Sequence, residues 1–258
     1  MPDISSAGPC TLFPPRLLVS VRDAREARTA VECGVDLIDI KEPSRGALGP
    51  ATADTIAAIA QEVGATRPLS VALGELVNLQ PGRYRDALHL SPIRFAKIGL
   101  AGAIAGPRWW QQWREAWAAL PHHLSRVGVV YVDWQEAEAP APADTLAVFA
   151  DQRCGAILFD TFVKDGRTLL DHAAADELAE WIHRARMASP LLVLAGSLNC
   201  EALNGLQEYP PDFIAVRGAA CQGGRLGRIS GPRLRHFAAA LQRAFPSPAT
   251  PCGQAATT

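Results

Sequence analysis

Short apolar segments alternate with longer amphipathic segments along most of the chain. The apolar segments are six or seven residues long and rich in Val, Ile and Leu, which predicts buried β-strands. The segments between them, such as 23–34, 176–188 and 231–245, place apolar residues at helical spacing. The predicted strands number eight and cover 16–21, 36–41, 68–73, 94–99, 127–132, 155–160, 191–196 and 212–218.

Eight alternating strands and helices predict an α/β fold, a single (β/α)8 TIM barrel that occupies 15–245. The alternative is a doubly wound open sheet, which normally has a glycine-rich dinucleotide turn after its first strand. Here the first strand runs into "SVRDA", which has no glycine and therefore favours the barrel. The ends, 1–14 and 246–258, are rich in Pro, Ala, Ser and Thr and are predicted to be flexible tails.

Composition narrows the classes of partner. The 258 residues are 48% hydrophobic and 20% charged, with a net charge of −1, so a nucleic-acid partner is not expected. The chain shows no secretory leader pattern and no apolar run of membrane-spanning length, so we expect a cytoplasmic protein without a membrane partner. Its six cysteines form no CxxC pair and no Cys/His spacing typical of zinc, so we expect reduced thiols and no metal. A homo-oligomer is left open.

Lysine is rare in this chain. Only Lys41, Lys97 and Lys164 are lysines among the 25 basic residues, and the other 22 are arginines. These lysines lie at or just after the ends of the second, fourth and sixth predicted strands, which is the catalytic end of a barrel. Arginine stays protonated, whereas a lysine amine can lose its proton and attack a carbonyl group.

Two aspartates accompany the lysines. Asp39 shares a strand face with Lys41, and Asp160 ends the sixth strand four residues before Lys164. One interpretation is a set of structural ion pairs at the barrel mouth. The other is catalytic: neighbouring ammonium groups lower the pKa of one amine, and the aspartates orient it and transfer protons. We predict catalytic roles for Lys41, Asp39, Lys97, Asp160 and Lys164.

The loops after the last two strands predict a phosphate site. They contain Gly196 and Ser197 after the seventh strand, and Arg217, Gly218 and Ala219 after the eighth. In this fold these loops commonly bind phosphate through backbone N–H groups and a helix N-terminus. Arg217 is predicted to add a bidentate contact.

Tyr131 and Asp133, at the end of the fifth strand, are candidates for lining the same mouth. Taken together, the three lysines, the two aspartates and the two phosphate-binding loops indicate an imine-forming lyase or aldolase. Its partner would be a small phosphorylated carbonyl compound.

Several motifs together resemble a known family. They are "LLVSVRDAREA", "GVDLIDIKEPSRGALG", "FAKIGLAG", "FDTFVKDGRTLLD", "LAGSL" and "DFIAVRGAAC". The chain resembles the (5-formylfuran-3-yl)methyl phosphate synthase family of methanofuran biosynthesis, also called 4-(hydroxymethyl)-2-furancarboxaldehyde-phosphate synthase. The likeness runs from about residue 16 to 244, and the segment 73–90 follows the family pattern only loosely.

The resemblance implies a (β/α)8 carbon–oxygen lyase that condenses two glyceraldehyde 3-phosphate molecules into a furan aldehyde phosphate, with loss of inorganic phosphate and water. It implies no metal and no organic cofactor. Lys41 matches the lysine that forms the Schiff base. Lys97, Lys164, Asp39 and Asp160 match the family's other charged active-site positions. The arginine-rich composition favours a bacterial source, and with it a role in C1 metabolism.

Two other interpretations stay open. One is a different Schiff-base barrel, of the class I aldolase type or similar to thiazole synthase, that acts on a phosphorylated sugar. The other is a non-catalytic barrel that senses a phosphorylated ligand. A simple aldol product in place of a furan aldehyde would indicate the other Schiff-base barrel. Ligand binding without turnover would indicate the sensor.

Overall fold

A computed structural model of the chain describes residues 14–105 and 108–247. Eight parallel strands close into a barrel in chain order, and β8 pairs with β1 through the register Arg16–Phe213. The tails predicted at 1–14 and 246–258 lie almost wholly outside the described residues. The barrel strands are β1 Arg16–Val21, β2 Leu37–Ile40, β3 Leu69–Glu75, β4 Ile93–Gly99, β5 Ser125–Tyr131, β6 Ala156–Asp160, β7 Leu192–Leu194 and β8 Phe213–Val216.

Helices follow the strands and surround the barrel, which confirms the predicted (β/α)8 fold. The α3 and α7 helices have only four residues each. The helices are α1 Ala24–Glu32, α2 Ala53–Val63, α3 Arg85–Leu88, α4 Trp109–Ala118, α5 Pro142–Asp151, α6 Ala175–Ala188, α7 Ala202–Gly205 and α8 Gly231–Ala244.

The strands read as continuous apolar runs because both of their faces are buried. All four residues of β2 and all five of β6 are buried, one face against the barrel interior and the other against the helices. Polar residues therefore stand out where they interrupt such a run. Asp39 and Asp160 are interruptions of this kind, and both are almost fully buried.

Two features differ from the predicted elements. The β3 strand extends to Glu75, two residues beyond its predicted end, and so brings a carboxylate to the barrel mouth. The connection between β8 and α8 contains a small antiparallel ribbon, formed by β9 Cys221–Gln222 and β10 Arg228–Ile229, that the sequence pattern did not predict. In the described part of the chain, none of the helices has both the length and the apolar character needed to cross a bilayer.

Candidate active site

The carboxyl ends of the strands surround a cavity of about 410 Å³. This volume lies in the range of small-molecule sites, roughly 300–1,000 Å³. Lys41, Lys97 and Lys164 all line this one cavity, as the strand-end argument predicted. Asp160 and the loops after β7 and β8 form further parts of its wall, together with apolar strand residues such as Leu18 and Leu158.

Lys97 and Asp39 form a buried ion pair at the base of the cavity. Asp39 is in register with Ser70 on β3, which is in register with Phe95 on β4. Lys97 lies two residues beyond Phe95, on the same face and nearer the mouth. Its Nζ atom lies 2.6 Å from Asp39 Oδ1. The geometry of this contact does not meet the angles of a hydrogen bond, so it is an ion pair. Ser20 donates a hydrogen bond to the other oxygen of Asp39 at 3.0 Å.

Lys164 and Asp160 form a second ion pair on the other side of the mouth. Lys164 Nζ donates to Asp160 Oδ1 at 2.8 Å and to Thr161 Oγ1 at 3.0 Å. Burial raises the pKa of Asp160, but Lys164, Lys41 and the backbone N–H of Thr161 outweigh burial, and the net pKa lies below the ordinary value. Asp160 is therefore an ionised carboxylate at neutral pH.

Asp133 holds the loop that carries Lys164. It is buried, and its carboxylate accepts hydrogen bonds from the backbone N–H groups of Phe162 and Val163, at 2.8 Å each for the shorter contacts. Asp133 is not among the residues that line the cavity. It therefore acts on the site through the backbone, by fixing the turn between Asp160 and Lys164.

Lys41 differs from the other two lysines because it has no carboxylate partner. Among the described residues, none accepts a hydrogen bond from Lys41 Nζ and none forms an ion pair with it. The side chain is nevertheless buried, with 8% of its surface exposed, and it lines the cavity. Its backbone N–H donates to Val21 O at 3.0 Å, which fixes the end of β2 beside β1.

This environment lowers the pKa of Lys41 to about 7, chiefly because burial disfavours the charged amine. Asp160 and Asp39 oppose the shift, while Lys97 and Lys164 add to it. The sequence predicted that neighbouring ammonium groups would lower this pKa. The larger cause is desolvation, which depends on the packing of the whole mouth.

The loops after β7 and β8 form part of the cavity wall. Gly196, Ser197, Gly218 and Ala219 line it, and no described residue accepts a hydrogen bond from their N–H groups. Gly196 and Ser197 both have a positive φ, 93° and 51°, a costly conformation for serine. Such strain is common at ligand sites. The α7 helix begins only at Ala202, so the N–H groups of Gly196 and Ser197 belong to a loop. Gly218 and Ala219 begin a short 3-10 helix that ends at Ala220.

Arg217 lines the cavity, but its guanidinium group is bound to protein acceptors and not free for a phosphate as predicted. Its five N–H donors make five hydrogen bonds, two of them to the carboxylate of Glu26 on α1, at 2.8 and 3.3 Å. The other acceptors are the backbone oxygens of Ser20, Arg225 and Gly227. Arg217 and Glu26 are both buried. This arrangement leaves Arg217 no donor for a phosphate and makes it a structural support beneath the loop.

A partly buried carboxylate and a buried phenol occupy the β3–β5 side of the mouth. Tyr131 donates to Glu75 Oε1 at 2.7 Å, and the N–H of Ala101 donates to Glu75 Oε2 at 2.9 Å. The pKa of Glu75 is raised, chiefly by burial and further by Asp160. The hydrogen bonds from Tyr131 and Ala101 lower it, but they do not outweigh burial. A Cβ atom at Gly99 would lie 2.0 Å from Glu75 Oε2, so the carboxylate takes the space that this glycine leaves.

The protein-family model described as 4-HFC-P synthase matches residues 17–238. The chain belongs to the 4-HFC-P synthase family. Its relatives include the (5-formylfuran-3-yl)methyl phosphate synthase of Methanopyrus kandleri, 32% identical over 88% of this chain and 99% of the relative. Another is the synthase of the same name from Methanocaldococcus jannaschii, 31% identical over 81% of this chain and 91% of the relative.

Bacterial relatives of this 4-HFC-P synthase family member are known as well. A protein of Methylorubrum extorquens named putative (5-formylfuran-3-yl)methyl phosphate synthase is 32% identical over 88% of this chain and 92% of its own length. Among solved structures, phosphoribosyl anthranilate isomerase from Thermotoga maritima superposes with a TM-score of 0.60 at 14% identity. The superposition covers 89% of this chain and 99% of that enzyme. At this sequence identity the likeness concerns the barrel fold alone.

Glu75 and Thr161 were not predicted from the sequence; they lie behind the cavity wall and accept hydrogen bonds from Tyr131 and Lys164. Glu75 had one available signal, since it is a charged residue directly after the apolar run "SVALG". Tyr131 and Asp133 were considered, but neither lines the cavity, and each acts through a hydrogen-bond partner instead.

Proposed function

We propose that this chain condenses two molecules of glyceraldehyde 3-phosphate to (5-formylfuran-3-yl)methyl phosphate, through a Schiff base on Lys41, in methanofuran biosynthesis. Two triose phosphates give the product, one inorganic phosphate and two water molecules. The family membership and the names of the relatives support the choice of product. One structural observation supports the choice of nucleophile: of the three lysines in the mouth, Lys41 is the one without a carboxylate partner among the described residues.

The proposed reaction begins when the uncharged amine of Lys41 adds to a substrate carbonyl. Loss of water gives an iminium ion, which acidifies the neighbouring carbon atom. Loss of a proton there gives an enamine, which expels the phosphate from C3 and leaves a conjugated iminium ion with an enol at C2 and C3. C3 of this enol attacks the C2 carbonyl of the second triose, which has isomerised to its ketone form. Its C1 hydroxyl group then closes the ring on the first triose's C2, loss of two water molecules forms the furan, and hydrolysis of the imine releases Lys41 with the formyl group.

The two ion pairs serve different steps in this proposal. Asp160 and Lys164 lie 2.8 Å apart beside the cavity, a geometry suited to moving a proton to and from the substrate. The Lys97–Asp39 pair at the base sets the charge around the amine, since Lys97 lowers the pKa of Lys41 and Asp39 raises it. The free N–H groups of Gly196, Ser197, Gly218 and Ala219 would hold a substrate phosphate.

The test is incubation of the purified protein with glyceraldehyde 3-phosphate. We expect the ultraviolet absorbance of a furan aldehyde to appear, and borohydride added during turnover to attach the substrate to Lys41. Lys41→Arg keeps the charge and should abolish both signals. Lys97→Arg is the matched control, since it keeps a cation next to Asp39 and should still give the trapped adduct at Lys41.

Other outcomes would identify the alternatives. A simple aldol product with the same adduct would indicate an aldolase, and ligand binding without turnover would indicate a sensor. A Lys41→Arg variant with full activity would rule out the Schiff base on this residue.

A further inference from the structure

A second arginine faces the cavity from the ribbon between β8 and α8. Arg225 lies in the turn between β9 and β10 and lines the same cavity as Lys41 and Lys164. Its side chain is intermediate in exposure.

Arg225 joins the ribbon to the loop that follows Lys41. Its Nη1 donates to Pro43 O at 2.5 Å and its Nη2 donates to Gly46 O. A guanidinium group has five N–H donors, so three remain without an acceptor among the described residues. No carboxylate among the described residues forms an ion pair with Arg225.

The two arginines of this region have opposite surroundings. Arg217 is neutralised by Glu26, and all of its donors are used. Two of those donors hold the ribbon, through Arg225 O at 2.8 Å and Gly227 O at 3.0 Å. Arg217 therefore fixes the backbone from which Arg225 extends toward the cavity.

Arg225 carries an uncompensated positive charge in a partly dry place. Burial is the main cause that lowers its pKa, and Arg217 adds to this, while Asp160 and Glu42 attract the charge from a distance. A cation removed from water without a paired anion is unfavourable. An anionic ligand in the cavity would supply the missing partner.

We propose that Arg225 binds the phosphate group of a substrate, together with the free N–H groups of the loops after β7 and β8; the backbone of Arg225 lies beside Gly218. Guanidinium groups match phosphate oxygens in charge and in geometry. Because Arg225 also holds the carbonyls of Pro43 and Gly46, a phosphate bound here would be positioned relative to Lys41. The proposal rests on the proposed function only in assuming a phosphate ester as substrate.

The test uses glycerol 3-phosphate, which has no carbonyl group and cannot react with Lys41. Its affinity is measured by isothermal titration calorimetry for the wild type, Arg225→Gln and Arg228→Gln. Arg228 is an exposed residue of β10, three positions after Arg225 in the same ribbon, and provides the matched control. We expect Arg225→Gln to bind about 10- to 100-fold more weakly, the usual effect of losing hydrogen bonds to a charged group, and Arg228→Gln to be unchanged. Equal affinity of all three proteins would overturn the proposal and leave Arg225 as a structural link.

A second measurement needs no variant. Phenylglyoxal modification of the wild type, mapped by mass spectrometry, should be slower at Arg225 when glycerol 3-phosphate is bound and unchanged at Arg228. Lack of protection at Arg225 would count against the proposal even if Arg225→Gln failed to fold. Neither readout depends on furan formation, so the proposed function can fail while the Arg225 phosphate site stands, and the reverse also holds.

Discussion

Lys41 is predicted to react as an uncharged amine at neutral pH. Its pKa is about 7, compared with 10.5 for an ordinary lysine. At pH 7 about half of the Lys41 side chains are then uncharged, whereas for an ordinary lysine the fraction is roughly 0.03%. The difference is on the order of a thousandfold in the concentration of nucleophile.

Competitive labelling with trace acetic anhydride measures this quantity directly, because only the uncharged amine is acetylated. Cleavage at arginine places the three lysines in three separate peptides, 29–45, 95–108 and 154–167. The rate for Lys41 should rise through pH 7 and level off by about pH 8. Lys97 and Lys164, which are held by Asp39 and Asp160, should react more slowly at pH 7 and serve as internal controls.

A Lys41 peptide that reaches half of its maximal labelling rate near pH 10 would refute the predicted pKa of Lys41. The predicted pKa would also be refuted if Lys97 or Lys164 were the fastest lysine at pH 7. Either result would mean that the packing around the mouth does not desolvate Lys41.

Three further predictions concern stability, measured as the free energy of unfolding in urea. Lys41→Met should stabilise the fold below pH 7, by roughly 5 kcal/mol at most, because it removes a buried charge. The gain should fade as the pH rises from about 7 to 10.5, because the pKa of Lys41 is lower in the folded state than in the unfolded state. Gly99→Ala should destabilise by about 1–3 kcal/mol, since its Cβ would collide with Glu75. Arg217→Met should destabilise by about 3–5 kcal/mol, because it leaves Glu26 buried without its partner.

Each of these variants has a contrary outcome. Stabilisation by Lys41→Met that is the same at pH 6 and pH 10 would show that the gain is unrelated to the buried charge. For Gly99→Ala, the control is Gly82→Ala, where an added Cβ meets no atom within 4 Å; equal effects would contradict the collision. For Arg217→Met, the control is Arg228→Met on the exposed strand of the ribbon, which should change the free energy of unfolding little.

The alternating pattern of apolar and amphipathic segments predicted the barrel correctly because parallel strands buried on both faces leave a strong local signal. The eight predicted strands overlap the eight observed ones. The same pattern could not predict the ribbon of β9 and β10, since its strands have two residues each and lack any apolar period. The end of β3 was also missed, because a charged residue such as Glu75 looks like the start of a loop.

The amino-acid sequence by itself determined that three lysines and two aspartates meet at one end of a barrel. Strand period and strand order are local properties, so they are readable from one chain. Only the tertiary structure decided how these charges pair: Asp39 with Lys97, and Asp160 with Lys164, leaving Lys41 without a partner among the described residues. Likewise, Arg217 is occupied by a glutamate 191 positions away in the chain, which leaves Arg225 to face the cavity. Pairing and desolvation depend on distances across the barrel, and these arise only when all eight strands close.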